Sequence, residues 1–340
     1  SVVDVPEEAL RAAVRRVLDL ECPKDVEFEG KEDFWAGRWA WCVNGAHNRV
    51  LEAFEPDYTV DIGGIKQVHR RAYVEAVDVN PVMGWSGVSY YTASEKLEHG
   101  KKRALFACDS NTYVNFERLL RPVERSWRGI RVVLDPGSGG TTGMVRRLRR
   151  LQHGRPINAM LDYDDFNSQH STRSMRIVLE ELVAHVGYDP VHGAQLIESL
   201  SKGRVFVERQ DMGWLQGTLM SGHRMTSFMN SVLNCAYLAV YVKDFWGLKS
   251  MHVGDDVYIS CHQSSEAAGI FNDVGTSPLR MNPIKQSIGA VCAEFLRVAT
   301  SKSMSVGYVC RSISSAVSGN WLTALRMSPH ECLQTMVSNA

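Results

Sequence analysis

The stretch MHVGDDVYIS, residues 251–260, sets two adjacent aspartates between apolar runs. Val253 stands before them, and Val257, Tyr258 and Ile259 follow. The pattern reads as strand, tight turn, strand, and that hairpin constrains the fold more than any other segment. Two meanings are open for Asp255 and Asp256. They are a solvated turn, or they are a carboxylate pair presented to cations.

Other segments supply what such a hairpin joins. Residues 157–162, INAMLD, read as a buried strand ending in an acid. SQHSTRSMRIVLEELVAHVG follows, with Met175, Val178, Leu179, Leu182, Val183 and Val186 at helical spacing and Gly187 as a stop. Asp162 therefore sits where open sheets present functional groups, at a strand end that feeds a helix. Residues 221–243 open on Ser-Gly and run on as a helix with an apolar stripe from Met225 to Val240. Asn230 and Asn234 lie one turn apart on one face of it. Asn is a poor mid-helix residue, so the pair suggests a polar task, a helix-to-helix hydrogen bond being the plainer one. Strand–helix, helix, hairpin predicts an α+β fold, an antiparallel sheet with helices packed on one face.

The 340 residues allow one large core or two to three domains. Net charge is zero, but residues 101–155 hold thirteen Lys/Arg against four Asp/Glu. A basic block beside an acidic remainder suits a chain that grips an anion in one place and cations in another. A solvated basic helix at 145–155 is the alternative. The eight cysteines form no C-x-x-C pair, which argues against structural zinc and for reduced intracellular thiols. Apolar runs are too short for a membrane span. The opening SVVDVPEEALRAAVRRVLDL reads as an amphipathic helix near Pro6–Leu20, not a secretory signal; without an initiator Met it suits a fragment or processed piece. The aromatics of FWAGRWAWCVNGAHN (34–48) are expected in the core. DPGSGGTTG (135–143) lacks the G-K-[ST] of a phosphate loop and reads as a flexible connection.

Carboxylates held within a few ångströms repel, and a divalent cation relieves that. Mg²⁺ takes one or two protein carboxylates and completes its shell with water and phosphates. Two such ions, about 3.5–4 Å apart, clamp the attacking and leaving oxygens of phosphoryl transfer. LDYDDFNSQH has Asp162 and, five positions on, Asn167; LMSGHRMTSFMNSVLN has Ser221-Gly222, Thr226 and Asn230; HVGDD supplies the pair. In this order they resemble elements A, B and C of viral RNA-dependent RNA polymerases. EHGKKRALFACDS (98–110) resembles the basic F element, RMNPIKQS (280–287) the D element with its lysine, and AEFLRV (293–298) the E element. The DYDDFNSQHS and SGxxxTxxxNxxLN strings look most like totiviruses and related double-stranded RNA viruses. The likeness covers about two-thirds of the chain.

The resemblance implies a right-hand fold. Residues 1–156 would form fingers, 157–189 palm, 190–220 a fingers insertion, 221–298 palm, and 299–340 the start of a thumb. It implies that Asp162 and Asp255 hold two Mg²⁺ (or Mn²⁺) ions, with Asp256 assisting. Asn230, helped by Asn167, would read the ribose 2′-OH, since an amide both donates and accepts. Ser221 and Gly222 would form the loop at the head of the B helix, with Thr226 also in the nucleotide site. Arg103 with Lys101 or Lys102 would neutralise the triphosphate, and Lys285 would protonate the leaving pyrophosphate. The implied partners are RNA template, nascent strand and ribonucleoside triphosphates, with a viral capsid protein as a candidate and no membrane. The implied place is the virion interior or the host cytoplasm.

There is a departure from the pattern. Many positive-strand virus polymerases have a second Asp where this chain has Asn167. Asp164 and Asp165 also stand near Asp162, and a slipped register would bring one of them to the metal. They are expected instead at the solvated start of the following helix. Two rival functions share the motifs: a reverse transcriptase, and a non-enzymatic RNA-binding or packaging module.

Overall fold

The computed structural model describes residues 2–63, 68–98, 101–301, 303–310 and 313–314. Helix α1 (Glu7–Glu21) opens the chain. Short helices follow: α2 (Lys31–Ala36), α3 (Arg38–Trp41), α4 (Val50–Phe54), α5 (Arg70–Ala76) and α6 (Pro81–Gly84). Then come β1 (Ser89–Glu98), β2 (Lys101–Cys108), α7 (Ser110–Ser126), α8 (Gly140–Gln152), β3 (Ile157–Leu161), α9 (Thr172–His185) and α10 (Pro190–Ser199). Strands β4 (Gly203–Val207) and β5 (Gln210–Trp214) precede α11 (Thr226–Tyr241). Next are β6 (Lys249–Val253), β7 (Asp256–Cys261) and α12 (Ser264–Thr276). Last are β8 (Ser287–Gly289), β9 (Cys292–Phe295), β10 (Val298–Ser301) and β11 (Ser305–Gly307).

The expected hairpin is present as β6–β7, and it joins a sheet ordered β6-β7-β3-β8 in which every pairing is antiparallel. Side chains alternate across a strand. Ile157, Ala159 and Leu161 of β3 and Val257, Ile259 and Cys261 of β7 accordingly enter one core with α1, α9, α11 and α12. The other face carries Met160, Met251 and Tyr258, covered by Met144 and Leu148 of α8 and by Ala293 and Phe295 of β9. Helices thus pack on both faces rather than one. The glycine-rich 135–143 is a turn only as far as Gly139, whose left-handed φ of 75° starts α8, so residues 140–143 are its first turn.

A second sheet, β2-β1-β4-β5, unites residues before and after β3 through the parallel β1–β4 pairing. The 190–220 insertion is therefore joined to the F-like hairpin. Within the expected 1–156 unit, α1 packs with α9 and α11 in the core under the first sheet. Phe34, Trp35 and Trp41 are core residues, as the sequence implies, while Trp39 faces solvent. The E-like segment is the β9–β10 hairpin, turned at Leu296 and Arg297, both with positive φ. Much of the expected thumb start, including all of 315–340, lies outside the described residues.

Candidate active site

Asp162 is the first residue past β3, whose last pair is Leu161 with Val257 of β7. One step further in that register is Asp256, which pairs with Val253 to close the two-residue loop Gly254-Asp255. Gly254 takes the positive φ (58°) that such a loop asks of its first position. Alternation turns Asp162 and Asp256 away from the face that packs on α9 and α11. Burial first, then the carboxylates of Asp255 and Asp162, and then Glu294, push the Asp256 carboxyl up to about 6; Lys285 pulls it the other way. Lys285 Nζ lies 3.2 Å from both carboxylate oxygens of Asp162.

Backbone stitching keeps these groups in place. The Asn282 backbone N–H and the Gln286 side-chain Nε2 donate to the Asp162 carbonyl at 2.9 and 2.6 Å. Asp164 N–H donates to the Arg280 carbonyl at 3.0 Å, and Gln169 Nε2 donates to the carbonyls of Asp164 and Arg280. The D-like segment is thus tied across the strand end. Asp164 and Asp165 are exposed, as expected, but at a 3₁₀ turn (Phe166–Gln169) entered through a left-handed Asp165, not at an α-helix.

Helix α11 serves two sites with its two asparagines. Asn234 Nδ2 donates to the carbonyls of Gly254 (2.9 Å) and Asp256 (3.2 Å), and Gly254 N–H donates to Ser231 Oγ (2.8 Å). Buried His252, pushed down to about 3 mainly by burial, stays neutral and lies 3.0 Å from Asn234 Oδ1. Asn230 Nδ2 instead donates to Asn167 Oδ1 at 2.8 Å, and His170 Nε2 lies 2.8 Å from Asn230 Oδ1. Sequence reasoning foresaw the shared face but not this division, and it missed His170, Ser231, His252 and Glu294. The interleaving of Ser231 with the two asparagines was the available signal.

The B-like and F-like elements touch directly. Gly222 bridges Ala107 of β2, and Phe106 N–H donates to Ser221 Oγ at 3.1 Å. A Cβ on Gly222 would meet the Phe106 carbonyl oxygen at 2.2 Å. The Thr226 hydroxyl lies 2.8 Å from the carbonyl oxygens of Met220 and His223, so it is engaged in closing this loop. Arg103 is exposed on β2, in an open groove with Ser94, Glu95 and Glu208. Lys101 and Lys102 start that strand, and their side chains lie outside what is described.

The basic block divides. Arg118 and Arg131 are built into the protein: Arg118 bonds the Tyr188 hydroxyl (2.8 Å) and Arg131 the Trp246 carbonyl (2.7 Å). Arg121, Arg125, Arg128 and Arg147 line a cavity of about 560 Å³ beside Ser227 at the start of α11, together with Asp135 and with Arg224, which lies outside the block and pairs with Glu117 and Glu124 there.

Among the described residues, no three His, Cys, Asp or Glu side chains converge as a ready-made metal cage. The acids fit Mg²⁺ in its other mode, one or two carboxylates with water and substrate phosphates completing the shell. The raised Asp256 carboxyl marks crowded, hard oxygen donors whose repulsion a cation relieves.

Residues 1–321 match the family model described as viral RNA-directed RNA-polymerase, more of the chain than the motifs alone covered. The chain is 42% identical over 342 residues to the probable RNA-directed RNA polymerase of Leishmania RNA virus 1 - 1 (isolate Leishmania guyanensis), covering 99% of this chain and 38% of that protein. It is 40% identical over 333 residues to the probable RNA-directed RNA polymerase of Helminthosporium victoriae virus-190S, covering 96% of this chain and 39% of that protein. The chain thus spans under two-fifths of the length of these relatives. The crystal structure of the RNA-dependent RNA polymerase of a human picorbirnavirus shares its fold, with a TM-score of 0.68 at 12% identity over 99% of this chain and 66% of that one. Right-hand fold, ordered motifs and relatives agree: this chain belongs to the viral RNA-directed RNA polymerase family.

Proposed function

We propose that the chain carries the catalytic centre of an RNA-directed RNA polymerase that joins ribonucleotides on an RNA template. The observation that carries this is the strand end at Asp162, set beside the Asp255–Asp256 hairpin with Lys285 3.2 Å from Asp162.

In this reading Asp162 and Asp255 hold two Mg²⁺ or Mn²⁺ ions and Asp256 assists. Bound there, such ions activate the 3′-hydroxyl and stabilise the leaving pyrophosphate. Lys285 supplies the proton that the pyrophosphate takes up, as a general acid. Asn167 and Asn230 read the ribose, and Ser221 and Gly222 shape the loop above the nascent pair. Arg103, with Lys101 and Lys102, meets the triphosphate. The cavity beside Ser227 is lined by Arg121, Arg125, Arg128 and Arg147 besides the Arg224–Glu117–Glu124 cluster, and those four arginines suit the phosphates of a template strand. The β2-β1-β4-β5 sheet, with the 190–220 insertion, belongs to the fingers in this scheme. The palm is the β6-β7-β3-β8 sheet with α1, α9 and α11, and the thumb starts at residue 299.

RNA template, nascent strand and ribonucleoside triphosphates are the proposed partners, with a viral capsid protein as a further candidate. The proposed place of action is the virion interior or host cytoplasm. Among the described residues, no helix is long and apolar enough to cross a membrane.

The test is nucleotide incorporation on an RNA template with Mg²⁺ or Mn²⁺, comparing wild type with Asp255→Ala. Ribonucleotide incorporation that the substitution abolishes while RNA binding persists supports the reading. Preference for deoxynucleotides would make it a reverse transcriptase. RNA binding with no synthesis by either protein would make it a packaging module.

A further inference from the structure

We infer that His170 is the positioning residue of the ribose-reading amide pair, and that through Asn230 it sets the preference for a 2′-hydroxyl. The inference rests on the polymerase reading above and deepens it.

His170 ends the 3₁₀ turn that follows Asp165 and is wholly buried. Phe166 packs edge-on against its ring, at 4.4 Å between centroids. Its Nε2 lies 2.8 Å from Asn230 Oδ1, and its Nδ1 lies 3.2 Å from the Tyr237 hydroxyl. Burial holds the ring neutral down to about pH 4, so it carries a single N–H. An amide oxygen cannot donate, so that hydrogen is on Nε2, and Nδ1 accepts from Tyr237. The chain of donation then has one direction. Tyr237 O–H donates to His170, His170 Nε2–H to Asn230 Oδ1, and Asn230 Nδ2–H to Asn167 Oδ1 at 2.8 Å.

This order has a chemical consequence. Each amide oxygen receives a hydrogen from within the relay. What remains to face a ligand is the second N–H of Asn230 and the two of Asn167. A ribose 2′-oxygen accepts from such donors, and a 2′-methylene cannot. The relay is also tied to the B-like loop. Thr218 N–H donates to the His170 carbonyl and Leu219 N–H to the Asn167 carbonyl, each at 3.1 Å, just before Ser221. With no donor at position 170, the Asn230 amide is free to turn over, and its outward N–H and its bond to Asn167 are lost.

The experiment is single-nucleotide incorporation by the full-length polymerase, measured for ATP and 2′-deoxy-ATP with wild type, His170→Leu, His170→Gln and Tyr237→Phe. His170→Leu is expected to lower kcat/KM for ATP about five- to tenfold, the worth of one hydrogen bond, mainly through KM. The value for 2′-deoxy-ATP should move by less than about twofold on the same ground, so selectivity collapses. Glutamine can return a donor near the Nε2 position, and His170→Gln should recover most of the selectivity. Tyr237→Phe keeps the packing and frees Nδ1, so it should give a smaller loss of the same kind; it decides the matter if His170→Leu does not fold. Parallel loss for both nucleotides, or selectivity unchanged in every variant, overturns the inference and leaves the polymerase reading standing. A wild-type protein that makes no RNA overturns both.

Discussion

Lys285 holds Nζ 3.2 Å from both oxygens of Asp162, astride the carboxylate rather than against one edge of it. The lysine side chain is 51% exposed and the aspartate 27%. A pair this open adds only about 0–1 kcal/mol to stability. Lys285→Met should therefore leave the melting temperature almost unmoved while slowing single-turnover incorporation about 10²- to 10⁴-fold, the usual range for a general acid. Lys285→Arg restores the charge but not a proton that can leave near neutrality. Arginine at the wild-type rate would reduce Lys285 to a counter-ion.

Gly222 admits no side chain, since a Cβ there would lie 2.2 Å from the Phe106 carbonyl oxygen, a backbone atom. Gly222→Ala must part the loop from β2 and weaken the Phe106–Ser221 hydrogen bond. The expected cost is about 1–3 kcal/mol, as for other overpacked sites. Thermal unfolding with and without nucleotide checks it. Incorporation should fall further than stability, because the loop that moves also heads α11.

Asn234 offers a cleaner separation of hairpin from helix. Its amide caps the carbonyls of Gly254 and Asp256, and nothing in the relay through Asn230 depends on it. Asn234→Leu leaves half-buried acceptors unpaired, at about 0.5–1.5 kcal/mol for the first. Divalent-ion binding, followed by calorimetry, should weaken as the Asp255–Asp256 turn loosens. Unaltered ion affinity in a folded variant would show that the hairpin holds its shape unaided.

The hairpin, the strand before Asp162 and α11 were legible because each has a local signal: period-two alternation, a glycine turn, a 3.6-residue stripe. The order of the acids and amides along the chain gave the family. The rest depends on packing between distant segments. Asn230 and Asn234 share a face in any helix, but only the fold sends one to Asn167 and the other to Gly254. Arg118 and Arg131 have the same charge as their neighbours in the basic block, and only the fold turns them inward to the Tyr188 hydroxyl and the Trp246 carbonyl. His170 had no signal of its own, being one polar residue in a polar turn. The parallel β1–β4 pairing joins segments more than a hundred residues apart, beyond the reach of any local pattern.

Acid should destabilise the fold before most of its carboxylates protonate. His47 and His170 are pushed down to about 4, and His192, His223 and His252 to about 3, in each case chiefly by burial. The unfolded chain protonates its histidines near pH 6.5, while the folded chain resists. The unfolded state therefore binds more protons in this window, and stability falls as pH falls below about 6.5. Each histidine contributes up to about 1.4 kcal/mol per pH unit. Asp256, Asp109 and Glu55 are raised and act with the opposite sign, favouring the folded state at low pH. Glu181 and Asp189 are lowered, so the stability they add is lost only further down, below their ordinary values of 4.5 and 3.8, and they do not act between pH 7 and pH 5. The acid-labile groups outnumber the others, so the urea midpoint should drop steadily between pH 7 and pH 5. His252→Asn keeps a donor toward Asn234 without a titrating ring, and should flatten that slope by about one proton's worth. A midpoint that holds or rises down to pH 5 would mean that these histidines gain partners or water on acidification that the neutral fold does not offer.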